Sequence, residues 1–260
     1  MYIKPYDELT IQDNFIFQKV MRNKRICKQT IERLLDIDIK DISYPEEEKS
    51  INVRLDSKSI RLDVYDNDDK GTVFNIEMQT TKDMDELVKR TRYYQGLIDI
   101  DNIEKGQNYS ALHDTYIIFI CTFGVFTGKR HKYTFRNLCI EDNEILLNDG
   151  TTKLFLSTKG EADDVLKPLK MFLDYVDGKK PEDALMQEID HEVDTVKHCD
   201  EWRRDYMTLA LEMDKKWREG KAEGKIEAIR NAIKDGLTTL AAVKKSGRYT
   251  EEEIAAIAAP

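Results

Sequence analysis

Hydrophobic and polar positions change rhythm several times along this chain, and each change marks an element. Ile11 to Asn23 carries a helical stripe through Phe15, Val20 and Met21. Arg25 to Asp36 carries a second stripe through Ile26, Ile31, Leu34 and Leu35, so two helices are predicted in succession. Ile39–Ser43 and Ile51–Leu55 read as short extended segments. The period then drops to two. Ile60, Leu62 and Val64 alternate with Arg61, Asp63 and Tyr65, and Phe74, Ile76 and Met78 alternate with Asn75, Glu77 and Gln79. The turn formers Asp66-Asn67-Asp68-Asp69-Lys70-Gly71 lie between them, which predicts a hairpin. Asp83 to Ile100 returns to the helical period and places Glu86, Arg90 and Tyr94 on one face. The apolar run inside Asp114–Phe123 predicts a buried strand. His131–Ile140 and Glu144–Leu147 predict a further strand pair, with Asn148-Asp149-Gly150 as a turn.

From Glu161 to residue 235 the pattern is almost continuously helical, broken at Asp177-Gly178-Lys179-Lys180-Pro181. Charges of both signs crowd Lys215 to Arg230, as on a solvated helix face. Gly220 and Gly224 weaken that helix by about 1 kcal/mol each relative to alanine. Leu237–Lys245 reads as a short helix. Thr250–Ala259 reads as another, opened by a capping box of Thr250 with Glu253. These shifts divide the chain into a core (1–160), a charged helical extension (161–230) and a small helical tail (231–260). The tail has the size of a helix-turn-helix unit, but its last helix is acidic where it would approach phosphates. Packing on itself or on a second copy suits it better, and a homodimer through the C-terminal helices is expected.

Composition narrows the class. Charged residues make up 35% and hydrophobic ones 40%, a globular balance, and no apolar run reaches membrane-spanning length. No membrane partner is expected. The opening MYIKPYDELT lacks the apolar core of a signal peptide. Cys27, Cys121, Cys139 and Cys199 show no CxxC spacing, so reduced thiols and a cytoplasmic location are expected. A net charge of −9 argues against a nonspecific nucleic-acid coat, though not against an enzyme with a local basic patch.

The candidate chemistry lies in the hairpin. Asp63 on one strand and Glu77 with Gln79 on the next share the face opposite the aliphatic residues. This spacing serves a divalent-metal site or the polar face of a half-buried hairpin. His113, His131, His191 and His198 lack mutual ligand spacing, and the common nucleotide, hydrolase and zinc-protease motifs are absent from the sequence.

The order of elements, however, resembles the PD-(D/E)XK nuclease superfamily. It is closest to the bacterial branch described as recombination-promoting (Rpn-type) nucleases or transposases. The resemblance rests on DNFIFQKVM (13–21), KSIRLDVYD (58–66), FNIEMQ (74–79), KRTRYYQGLID (89–99), KGQNYSALHDTYIIFICTF (105–123) and EGKAEGK (219–225). It implies an α/β, restriction-endonuclease-like core, a central mixed β-sheet flanked by helices, with an α-helical C-terminal extension. It implies a metal-dependent DNA endonuclease that hydrolyses phosphodiester bonds, linked to recombination or mobile elements. Asp63 and Glu77 would hold Mg2+ or Mn2+ with the Met78 backbone carbonyl, and Asp13 is a further candidate ligand. Gln79 stands where the superfamily usually has lysine and would position the attacking water. Arg90 and Tyr94 look like the helical motif beside the site and would contact a substrate phosphate, with Lys89 and Arg92 as the nearest basic patch. The alternative is an inactive nuclease fold serving as a DNA-binding or assembly module, which the missing lysine favours.

Overall fold

The computed structural model describes residues 3–43, 46–51 and 60–259, with side chains described for 3–43 and 63–259. Two helices come first, α1 (Asn14–Met21) and α2 (Lys24–Leu35). Asn23 caps the second through Ile26 N–H, and Asp36 ends it in the left-handed conformation at φ 57°. Strands β1 (Glu46–Ile51), β2 (Ile60–Asn67) and β3 (Val73–Gln79) follow. Beyond Ile51, the extended segment expected at 51–55 lies outside the described residues. Ile42 makes a single bridge to Asp68, so the Ile39–Ser43 segment belongs to no named strand.

The expected hairpin is present: β2 and β3 are antiparallel, with Val64 opposite Ile76 and Tyr65 opposite Asn75. Helix α3 (Met84–Asn102) then crosses over to β4 (Thr115–Cys121), which runs parallel to β3. Asp83 accepts from Glu86 N–H at the start of α3. The last strands are β5 (Lys132–Phe135) and β6 (Thr151–Ser157), and the sheet order is β1-β2-β3-β4-β6-β5. β6 is parallel to β4 and antiparallel to β5, so the sheet is mixed, as expected.

One pairing departs from the sequence reading. The partner of β5 is β6, whereas Glu144–Leu147 forms no strand and contributes one bridge, Leu138 to Leu146. The apolar residues that suggested a strand there, Ile145 and Leu147, are exposed, as is Ile140. β6 escaped the pattern because it lies inside the sheet with Leu154, Phe155 and Leu156 all buried. A short apolar run without clean alternation is what a doubly covered parallel strand leaves in a sequence.

The register sorts the core into two faces. Tyr65, Val73, Ile117, Phe119, Cys121 and Phe155 pack with Leu87, Tyr94, Leu97 and Ile98 of α3. Val64, Phe74, Ile76, Met78, Ile118, Ile120, Leu154 and Leu156 lie on the other side and are equally buried. Helix α1 lies against β2 and β3 and packs in turn on α2.

Helices α4 (Lys167–Val176) and α5 (Ala184–Lys197) complete this unit, with the expected break between them. They bury Leu169, Phe172, Leu173 and Val176, then Met186, Ile189 and Val196, and they contact α1 and α2. The compact unit therefore runs from Asp7 to Cys199.

The second unit runs from Asp200 and includes the chain up to Tyr6. It holds the long helix α6 (Asp200–Lys234), α7 (Leu240–Lys245) and α8 (Glu251–Ala258). The capping box of Thr250 and Glu253 is present in both directions. Lys225 pairs with Glu253 at 2.9 Å and Arg230 donates to the Ala256 carbonyl at 3.1 Å, holding α8 on α6. Among the described residues no helix is long and apolar enough to cross a membrane.

Membership of α4 in the first unit has a measurable consequence. Phe172→Ala removes a fully buried ring and should cost about 3–5 kcal/mol in urea unfolding. Trp217→Ala on the exposed α6 should stay within about 0.5 kcal/mol of wild type. Similar costs for the two substitutions would contradict the assignment.

Candidate active site

The site begins where two strands part. Pairing between β2 and β3 ends at Val64 opposite Ile76, while β3 continues along β4 to Gln79 opposite Cys121. One register step further, Asp63 and Glu77 face each other without ladder bonds between them. Two backbone N–H groups here are taken by the acids. Glu77 Oε1 accepts from Asp63 N–H at 3.2 Å, and Asp63 Oδ2 accepts from Met78 N–H at 3.1 Å. Both acids are buried, Asp63 at 7% and Glu77 at 2% exposure.

Met78 contributes through its main chain. The N–H and C=O of a strand residue point to the same side, and the Met78 N–H reaches Asp63. Its carbonyl therefore also faces the gap left by β2, while that of Gln79 turns to β4 and accepts from Thr122 N–H at 3.0 Å.

Helix α1 supplies a residue that sequence reasoning missed. Gln18, 7% exposed, donates from Nε2 to Asp63 Oδ1 at 3.0 Å. Asp13, the candidate from that helix, sits at the N-cap and turns its carboxylate back to Thr10 N–H at 2.7 Å. Among the described residues no three acids, histidines or cysteines converge as a metal cluster, so Asp13 does not join Asp63 and Glu77. The reason is position on the helix: Gln18 lies on its buried side among Ile16, Phe17 and Met21, whereas Asp13 lies before its first turn. A polar side chain among buried neighbours was the available signal.

Helix α3 brings Arg90 and Tyr94 to the opposite side. Arg90 Nη2 lies 3.2 Å from Glu77 Oε2, and Nη1 lies 3.3 Å from Gln79 Oε1. The same guanidinium donates to Tyr94 OH from Nη2 at 2.7 Å and from Nε at 3.3 Å. It lies over the Tyr94 and Phe119 rings at 5.2 and 5.6 Å. Arg90 thus binds Glu77, Gln79 and Tyr94 at once. Because Gln79 accepts through Oε1, its amide nitrogen is left to donate elsewhere.

The electrostatics follow from this burial. Desolvation, and then the Asp63 charge opposite, push the Glu77 carboxyl well above the usual carboxylate range, against the pull of Arg90. Burial, and then Glu77, raise the Tyr94 phenol to about 12, so it stays neutral. Asn75, two residues back on the same face, is fully buried, and neither amide atom of its side chain finds a hydrogen-bond partner of ordinary length. It still lies close enough to Glu77 to favour the ionised acid.

Hard oxygen donors suit a divalent cation of the magnesium or manganese type. Asp63, Glu77 and the Met78 carbonyl provide them, and the orphaned amide of Asn75 is a polar group that a hydrated ion could satisfy. The residues present therefore fit the ion. Paired acids at the splay of a mixed sheet, with helices on both faces, define a restriction-endonuclease-like nuclease core. In agreement, the model of the PD-(D/E)XK nuclease family transposases matches residues 14–157, more than half of the chain. The chain belongs to the PD-(D/E)XK nuclease family of transposases. Comparison with curated proteins returned no match, and comparison with solved structures returned none.

The raised Glu77 pKa fixes the sign of a pH effect. A carboxyl held above its unfolded value binds more protons when folded, so stability falls as pH rises from that lower value towards the folded one. In metal-free buffer containing EDTA, Glu77→Gln should match wild type near the ordinary glutamate value of 4.5. It should become the more stable protein as pH rises, by up to about 1.4 kcal/mol per pH unit within that window. Urea titrations across the range check this, and a gap that is constant or shrinks with pH contradicts it.

Proposed function

We propose that the protein is a metal-dependent DNA endonuclease that hydrolyses phosphodiester bonds. The observation that carries this reading is the buried pair Asp63 and Glu77, set face to face where β2 leaves β3, with the Met78 carbonyl beside them. These three groups would hold Mg2+ or Mn2+. When bound, such an ion supplies Lewis-acid stabilisation of charge on the phosphate and a more acidic water at neutral pH.

The chain's own residues do the remaining work. Gln18 keeps one oxygen of Asp63 turned to its place, and the Asp63 and Met78 N–H groups orient both acids. The Gln79 amide nitrogen donates to the attacking water or to a phosphate oxygen, as a neutral substitute for the usual lysine. Arg90 is 26% exposed at its side chain and can offer a guanidinium to the phosphate, a geometry suited to bidentate contact. Tyr94 holds that guanidinium in place. Lys89 and Arg92 are exposed on the same helix and give the DNA backbone its nearest positive surface.

A role in recombination or in mobile elements belongs to this reading through the family, whose description is that of a transposase. A dimer formed through the C-terminal helices would bring two sites to two strands, and the cytoplasm is where such an enzyme would meet DNA. The rival reading is an inert nuclease fold that binds DNA or serves assembly. It draws on Gln79 in the lysine position and on the engagement of Glu77 by Arg90.

Nicking of supercoiled plasmid separates the two. Wild type should cut in magnesium or manganese and stop in EDTA, and Asp63→Ala and Glu77→Ala should each lose at least about 100-fold. Cutting by either variant at the wild-type rate would defeat the assignment, and a folded wild type that cuts under neither metal would favour the rival.

A further inference from the structure

Arg90 is a cation that the fold places beside buried Glu77, and its contacts fall into two groups. One is to Glu77, through Nη2 and Oε2 at 3.2 Å. The other group fixes the guanidinium independently of that acid. It comprises Tyr94 OH at 2.7 and 3.3 Å, Gln79 Oε1 at 3.3 Å, and the faces of Tyr94 and Phe119. Glu77 has its second oxygen occupied by Asp63 N–H, so Oε2 is the side on which it meets positive charge.

A buried carboxylate is costly without a cation or strong donors beside it. The geometry points to Arg90 as a resident counter-cation: in the metal-free protein it neutralises Glu77, and a divalent ion must displace it from Oε2 to bind. This inference rests on the metal-site reading above. The second group of contacts gives the guanidinium a place to remain once Glu77 changes partner. Held there with its side chain 26% exposed, Arg90 can meet a phosphate oxygen from the solvent side. Arg90 thus serves as a positioning residue for Glu77 in one state and a phosphate contact in the other.

Two roles for Arg90 predict opposite signs for one measurement. If the guanidinium competes with the ion, removing it frees Oε2 and relieves like-charge repulsion, and metal binds more tightly. If it only holds Glu77 in the correct orientation, removing it weakens binding. The full chain is titrated with manganese by isothermal calorimetry, for wild type and for Arg90→Gln. The expected result is an increase in affinity of about tenfold in Arg90→Gln. The metal-free variant should also melt below wild type and recover most of that loss on adding manganese.

Wild-type binding with equal or weaker binding by Arg90→Gln overturns the inference and leaves the metal site standing. Manganese binding by neither protein overturns both. Where Arg90→Gln does not fold, Arg90→Met repeats the test, because it removes the guanidinium charge and keeps an unbranched apolar side chain against the Tyr94 and Phe119 rings. It should bind manganese severalfold more tightly than wild type, and equal or weaker binding is again contrary to the inference.

Discussion

The parting of β2 from β3 beyond Val64 and Ile76 is the constraint on which the site depends. A sheet that stayed zipped would spend the Met78 N–H on the ladder. Because β3 instead follows β4 as far as Gln79, that donor turns to the Asp63 side chain, and two carboxylates lie where β2 parts from β3. The same splay aims the Met78 carbonyl at the gap. Three oxygen donors are thereby gathered from two short strands without a loop to fix them, and their positions inherit the rigidity of a doubly covered sheet.

Burying two acids side by side is unfavourable, and the surrounding residues are arranged around that cost. Gln18 from one helix and Arg90 from another bracket the pair. Arg90 is in turn held by Tyr94, Gln79 and two aromatic faces, so its charge is fixed in place before any substrate arrives. This arrangement changes the meaning of Gln79. A lysine at that position would add its own charge to the site. With glutamine, the positive charge comes from α3 instead, and Gln79 helps to hold that guanidinium through its oxygen while keeping its nitrogen to donate.

Much of this was legible in the sequence where side-chain period and chemistry coincide. Alternation at period two placed Asp63, Glu77 and Gln79 on one face, and helical spacing placed Arg90 and Tyr94 together, because both periods are properties of the local backbone. What escaped depended on contacts distant in sequence. β6 could not be read because it lies between β4 and β5 with consecutive residues Leu154, Phe155 and Leu156 all buried, which removes the alternation. The exposed apolar residues between β5 and β6 mimicked a strand instead. Asp13 was the obvious acid near the first helix, yet the helix rotates Gln18 and not Asp13 towards the sheet. In each case a tertiary partner, invisible along the chain, decided which side of an element was inside.

The most direct test of the account is anomalous diffraction from crystals of the full chain soaked in manganese. The account predicts a peak in the gap between β2 and β3, within about 2.0–2.6 Å of oxygens from Asp63 and Glu77 and of the Met78 carbonyl. Manganese bound elsewhere, or no peak between the two acids in crystals that bind the ion, would contradict it.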